Sequence, residues 1–183
     1  MYKLPPRLTE IFTELGISET YPDFCRAPMQ MEAEELVFAG KDIFDRDQFM
    51  TPETFSAWQL MLAAATNDNI TVQLVSAYRD FDYQCLLIRR KLERGDTLDT
   101  ILKVNTAPGF SEHHTGRALD LTTPGCEALE TEFEDTAAFQ WLAEHAVNFG
   151  FSLSYPRNNV FDIDYEPWHW AYRMDELHSP HQP

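Results

Sequence analysis

Apolar and polar positions along the chain switch between a helical period and strict alternation. Over Pro6–Leu15, the residues Leu8, Ile11, Phe12 and Leu15 recur at helical spacing and Gly16 follows, which predicts a short helix with glycine as its stop. Thr51-Pro-Glu opens a second helix, with a capping hydroxyl, proline at the first position and an acid in the first turn. It runs through Trp58, Met61 and Leu62 to Ala65. Ile70, Val72 and Leu74 then alternate as a strand ending at Ser76. Helical spacing returns over 81–94, closed by Gly95, and briefly over 97–104. Alternation resumes over 116–122. Asp135 is the expected cap of a further helix whose stripe is Phe139, Leu142, Ala146 and Phe149, stopped by Gly150. Last come short strands over 152–155 and 168–173.

Helices segregated from a small antiparallel sheet give an α+β fold. Residues 41–175 form the expected domain. Residues 20–50, mixed and punctuated by Pro22 and Pro28, read as loops with one or two short strands; 1–40 read as an N-terminal elaboration and 176–183 as a flexible tail.

Composition narrows the function. At 183 residues and 44% hydrophobic, the chain suffices for one well-packed domain. A net charge of −16 argues against nucleic acid and anionic membranes as partners, since both call for a basic face. An anionic ligand would need a local cation, for which Arg79 is the candidate. Cys25, Cys85 and Cys126 form no C-x-x-C pair and read as free thiols. No stretch approaches the roughly 18 apolar residues of a membrane span, and no leader pattern is recognisable, so a cytoplasmic protein is expected.

Two stretches carry chemistry, Ser111-Glu-His-His-Thr-Gly-Arg-Ala-Leu-Asp120 and Glu166-Pro-Trp-His-Trp-Ala-Tyr172. His113, Asp120 and His169 are a ligand set that suits Zn²⁺ with one position open, and Glu166 is a carboxylate placed to shuttle protons beside it. If 116–122 is a strand, Ala118 and Asp120 share one face. The seven-residue separation from His113 is odd, so the chain must break or bulge at Thr115-Gly116 for that imidazole to return. On the last strand, His169 and Ala171 face the site, with Trp168, Trp170 and Tyr172 opposite, toward the core. His114 cannot share the direction of His113 and is expected behind the ligands or in solvent.

The pattern S-x-H-x-x-G-x-A-x-D followed by E-P-W-H resembles the zinc D-alanyl-D-alanine carboxypeptidases, the VanY-type peptidoglycan peptidases. Ser76-Ala-Tyr-Arg79 with Gln84 is similar to that family's substrate-binding motif, with Ala77 where the family commonly has glycine. The resemblance implies zinc held by His113, Asp120 and His169, Glu166 as general base and acid, and Arg79 polarising the scissile carbonyl. It further implies that Ser111 and Gln84 hold the terminal carboxylate of a peptidoglycan peptide. The expected activity is removal of a C-terminal D-alanine, with an L,D-carboxypeptidase acting on tetrapeptides in recycling ahead of a D,D-carboxypeptidase or dipeptidase. A non-catalytic peptide-binding module is the reading outside the enzyme class, and it leaves Glu166 and Arg79 without a purpose.

Overall fold

In the computed structural model, which describes residues 3–173, helices surround a four-stranded antiparallel sheet, with a separate two-stranded hairpin. The elements in chain order are α1 (Pro6–Leu15), α2 (Tyr21–Phe24), β1 (Val37–Lys41), β2 (Asp47–Met50), α3 (Pro52–Asn67), β3 (Gln73–Ser76), α4 (Phe81–Glu93) and α5 (Leu98–Val104). They continue with β4 (Ala118–Thr122), α6 (Ala137–His145), β5 (Phe151–Leu153) and β6 (His169–Tyr172). This is the α+β class expected. The local signals act as read: Gly16 caps α1 in the left-handed region, and Thr51 accepts from the Thr54 N–H at the start of α3. At α6 the cap is Thr136, not Asp135, which ends a preceding 3₁₀ turn; the Thr136 hydroxyl accepts from the Phe139 N–H at 3.1 Å. The expected stripe is also divided, since α6 gives way at Ala146 to a 3₁₀ turn that Gly150 ends.

The sheet order is β3-β4-β6-β5. β4 pairs with β6 so that Leu119 lies opposite Trp170 and Asp120 opposite His169, while Ser76 of β3 lies opposite Asp120 on the other side. Leu119, Leu121 and Trp170 turn to one face and join the main core with Trp58, Met61, Leu142 and Phe151. The opposite face at Asp120 carries the candidate site.

A second core unites α1, α4 and α5 through Leu8, Phe12, Ile88, Ile101 and Phe110. The N-terminal segment also runs along the loop before β4: the Gln30 N–H donates to the Gly109 carbonyl and the Ala33 N–H to the His114 carbonyl. Glu32 accepts from the Phe81 N–H at 2.7 Å, at the first turn of α4. The expected tail, 176–183, lies outside the described residues. No helix among the described residues is long and apolar enough to cross a membrane.

Candidate metal and peptidase site

The first motif folds back on itself. Glu112–Thr115 form a 3₁₀ turn that ends at Gly116, with φ of 66°. A Cβ there would lie 2.9 Å from Leu36 Cδ2 and 3.2 Å from the Thr51 nitrogen, so both the conformation and the space call for glycine. This is the break that the odd spacing requires. It returns the His113 ring over β4, with Nε2 3.2 Å from Asp120 Oδ1, while the other ring nitrogen, Nδ1, lies 2.6 Å from the Ala77 carbonyl. Ala77 is fully buried and is not among the residues with positive φ, so alanine is accommodated at this position.

The second motif supplies two groups from one turn. The His169 N–H donates to the Glu166 carbonyl, and Pro167 prevents a helix from continuing there. His169 Nδ1 lies 3.2 Å from Asp120 Oδ1 and 3.6 Å from Glu166 Oε2. One carboxylate oxygen of Asp120 therefore faces two imidazole nitrogens. Its other oxygen accepts from Arg79, whose Nε donates to Ser76 Oγ at 2.9 Å.

Burial and charge set the protonation of these groups before any metal binds. Burial would raise Asp120, but the Arg79 guanidinium and the hydrogen bond from His169 hold it well below its ordinary value. Burial and the Arg79 charge bring His113 down to about 4, so its ring is neutral. Burial also acts to lower His169, yet its hydrogen bonds to Asp120 and Glu112 reverse the direction and lift it to about 10. Glu166 is pushed up to about 7 by burial, which places a carboxylate in the range useful for proton transfer near neutrality.

The donor set fits a metal ion. His113, Asp120 and His169 are buried and each offers a ligand atom within 4.8 Å of the others. Donors around a tetrahedral zinc at about 2.0–2.1 Å stand roughly 3.3 Å apart, close to the two nitrogen–oxygen separations of 3.2 Å. Each imidazole has its outward nitrogen engaged, on the Ala77 carbonyl and on Glu112 Oε2, leaving the nitrogen that faces Asp120 as the ligand. Beside this trio opens a cavity of about 320 Å³, lined by Arg79, Gln84, Ser111 and Glu166 among others. All seven residues predicted for the site thus meet in one place. Trp168, expected on the core face, packs against the core and also forms part of the cavity wall.

Residues 47–175 match the family model for the VanY D-alanyl-D-alanine carboxypeptidases. The chain belongs to this family. Among curated relatives, it is 32% identical to YodJ of Bacillus subtilis (strain 168) over 132 residues, which is 68% of this chain and 46% of YodJ. It is also 32% identical over 136 residues to VanXYC of Enterococcus gallinarum, a bifunctional D-Ala-D-Ala dipeptidase and carboxypeptidase, covering 70% of this chain and 69% of VanXYC. The chain thus spans about half the length of YodJ. Among solved structures, the LdcB LD-carboxypeptidase superposes with a TM-score of 0.69 at 29% identity, over 79% of this chain and 71% of that one. VanY of the VanB-type resistance cassette, solved with Zn(II), shares the fold with a TM-score of 0.62 at 24% identity, over 80% of this chain and 82% of that one.

In this VanY-family chain, one group around the ligands, Glu112, escapes a reading of the sequence, and for another, His114, the structure decides between the two places expected. Glu112 is buried, and its Oε2 lies 2.9 Å from His169 Nε2 while Oε1 accepts from Arg173, which also donates to Ser154 Oγ. Burial acts to raise this carboxyl, but the His169 hydrogen bond and the charges of His169 and Arg173 bring it down to about 2. Its position next to His113 was the available signal, but only the turn's curvature shows that it reaches the other histidine. His114 is fully buried, not in solvent: its Nδ1 lies 2.6 Å from the Arg79 carbonyl and its Nε2 accepts from the Gly109 N–H at 3.1 Å. That pairing makes Nδ1 the protonated nitrogen, and the ring braces the backbone that presents Arg79.

Proposed function

We propose that this protein is a zinc-dependent carboxypeptidase that removes the C-terminal D-alanine from peptidoglycan-derived peptides. The observation that carries the reading is Glu166, a buried carboxylate in the cavity beside the ligand trio, together with Arg79. A zinc ion held only for structure requires neither. When bound, the metal supplies a Lewis acid that polarises a carbonyl and acidifies water.

The chain's own residues then divide the work. Glu166 takes the proton of the attacking water and hands it to the leaving amine, which suits a carboxyl raised by burial. Arg79 offers five guanidinium N–H groups, of which Ser76 and Asp120 engage part. The remainder serve the oxygen on which negative charge develops. Ser111 and Gln84 line the cavity and present polar side chains to the substrate.

For the bond cleaved, we infer an L,D-carboxypeptidase acting on muropeptide tetrapeptides. The support is the likeness to LdcB, with a TM-score of 0.69 against 0.64 for the D,D-dipeptidase VanXYg at 26% identity. The 32% identity to VanXYC favours the second reading, a D,D-enzyme on D-Ala-D-Ala termini. Mass spectrometry of products from muramyl tetrapeptide and pentapeptide separates the two. Loss of D-alanine from tetrapeptide alone supports the L,D reading, and trimming of pentapeptide to tetrapeptide and no further replaces it with the D,D reading. The Glu166→Ala protein should retain zinc and lose about 10²–10⁴-fold in kcat. No cleavage of either peptide by the zinc-loaded protein refutes the carboxypeptidase.

A further inference from the structure

Opposite the metal ligands, one face of α4 forms a wall of the cavity. Gln84, Leu87 and Lys91, spaced at i, i+3 and i+7, all line it. The ends of the two polar side chains rest on the segment after α5: Gln84 Nε2 donates to the Thr106 carbonyl at 2.8 Å, and Lys91 Nζ donates to Asn105 Oδ1. Two observations single out this wall as waiting for a ligand. Gln84 is 1% exposed, yet its Oε1 has no partner among the described residues. Lys91 is half-buried and, among the described residues, forms no ion pair with a carboxylate; the one neighbour that accepts from it is a neutral amide. The other cations on the cavity wall are occupied, Arg79 by Asp120 and Arg46 by Asp42 at 2.6 Å.

Charge bookkeeping over the functional groups points the same way. With zinc at +2, Asp120 and Glu166 at −1 each, and Arg79 and Lys91 at +1 each, the cavity is left with a surplus of about two positive charges. The oxyanion that forms beside Arg79 is balanced by the proton that Glu166 takes, so the chemistry itself leaves this surplus unchanged. The surplus favours a substrate that itself brings a negative charge, in a chain whose overall −16 would otherwise repel it.

We propose that Lys91 is the specificity residue that reads the free α-carboxylate of the substrate's last residue, with Gln84 Oε1 accepting a substrate N–H on the same wall. An ammonium has three donors, so two remain after Asn105. The Asn105 contact holds a long, flexible side chain against the wall before substrate arrives. This assignment moves the carboxylate's main counter-ion away from Ser111 and Gln84, which are neutral, and away from Arg79, which serves the scissile carbonyl. It rests on the carboxypeptidase reading and is the same for an L,D or a D,D bond, since both substrates end in a free carboxylate.

The test compares the muramyl tetrapeptide (or the pentapeptide, if the enzyme proves D,D) with the same peptide as its C-terminal carboxamide, on zinc-loaded wild type, Lys91→Met and Lys91→Arg. Wild type should prefer the free acid. Lys91→Met should lose roughly 10–100-fold in kcat/KM on the acid, the size of one charge-assisted hydrogen bond. The loss should fall mainly in KM, because the carboxylate is held alike in ground and transition states. The amide rate should stay within about threefold, so that the acid-over-amide ratio collapses, and Lys91→Arg should restore most of it. A ratio unchanged by Lys91→Met overturns the proposal. Calorimetric binding of both peptides to zinc-loaded Glu166→Ala, with and without Lys91→Met, keeps the two readings apart. Acid-selective, Lys91-dependent binding without wild-type hydrolysis refutes the activity and leaves the assignment of Lys91 standing. Equal binding of acid and amide overturns the assignment whatever the hydrolysis.

Discussion

Replacing Glu112 by glutamine should weaken zinc binding without touching any ligand. The carboxylate has two jobs at once: Oε2 meets the outward nitrogen of His169 at 2.9 Å, and Oε1 receives the Arg173 guanidinium. A glutamine side chain has one acceptor for these two donors. If its oxygen turns to His169, its NH₂ faces Arg173, donor against donor. If it flips, the NH₂ faces Nε2 and demands the tautomer protonated on Nδ1, the nitrogen that must be bare to bind metal. Either orientation loses an interaction in a buried setting, so the effect should reach the upper part of the 10–100-fold range known for partners of metal-bound histidines, about 2–3 kcal/mol. Competition against a chromophoric chelator measures the affinity. The metal-free protein should still melt cooperatively, which separates tuning of the metal from collapse of the site. A folded Glu112→Gln protein that binds zinc within threefold of wild type would refute the reasoning.

Other outcomes follow from the same contacts. His114→Phe leaves the Arg79 carbonyl and the Gly109 N–H without their partner and should cost about 1–3 kcal/mol for each in urea unfolding; a total under 1 kcal/mol would contradict the bracing role. Gly109→Ala, at φ of 86° with a Cβ 2.4 Å from Leu8 Cδ1, should destabilise by roughly 1–3 kcal/mol, and a loss smaller than the sum of the single losses when Leu8→Ala is added would identify the clash as a cause. The metal-free protein should lose thermal stability as pH rises from 7 to 10. His169 has its pKa raised from 6.5 to about 10 in the folded state, so its contribution is complete below 6.5 and disappears as pH climbs through the folded value. Zinc displaces that proton, so the zinc-loaded melting temperature should be flat over the same interval.

Much of this was legible in the residues because local rules and tertiary packing agree. The α1 stripe, the Thr51 cap and the Gly16 and Gly150 stops behave as their chemistry dictates. The odd spacing from His113 to Asp120 forced a break where Gly116 provides one. What stayed hidden depends on direction through space. Lys91 ends the basic run Arg89-Arg90-Lys91 on α4, a pattern that ordinarily reads as a solvated face, and only the position of Asn105 shows that this side faces a cavity. Adjacent histidines must diverge, but whether the second meets water or the Arg79 carbonyl depends on a segment 35 residues away. The shift of the α6 cap by one residue reflects two neighbouring side chains both able to cap, with the hydroxyl of Thr136 the one whose backbone is extended.

The pairing of Ser76, Asp120 and His169 across three adjacent strands subjects the chemistry to parity. One residue inserted into β4 ahead of Asp120 would turn its carboxylate toward Leu119's side of the sheet, among tryptophan and leucine side chains, and two would restore its facing but displace it by about 6.6 Å. Changes of chain length inside those strands are therefore close to all-or-none, whereas the connections over 123–136 and 156–165 can lengthen or shorten without altering the count. Variation in substrate among proteins of this architecture should accordingly be written in the lengths of those connections and in the walls they form, with the row across the sheet held constant.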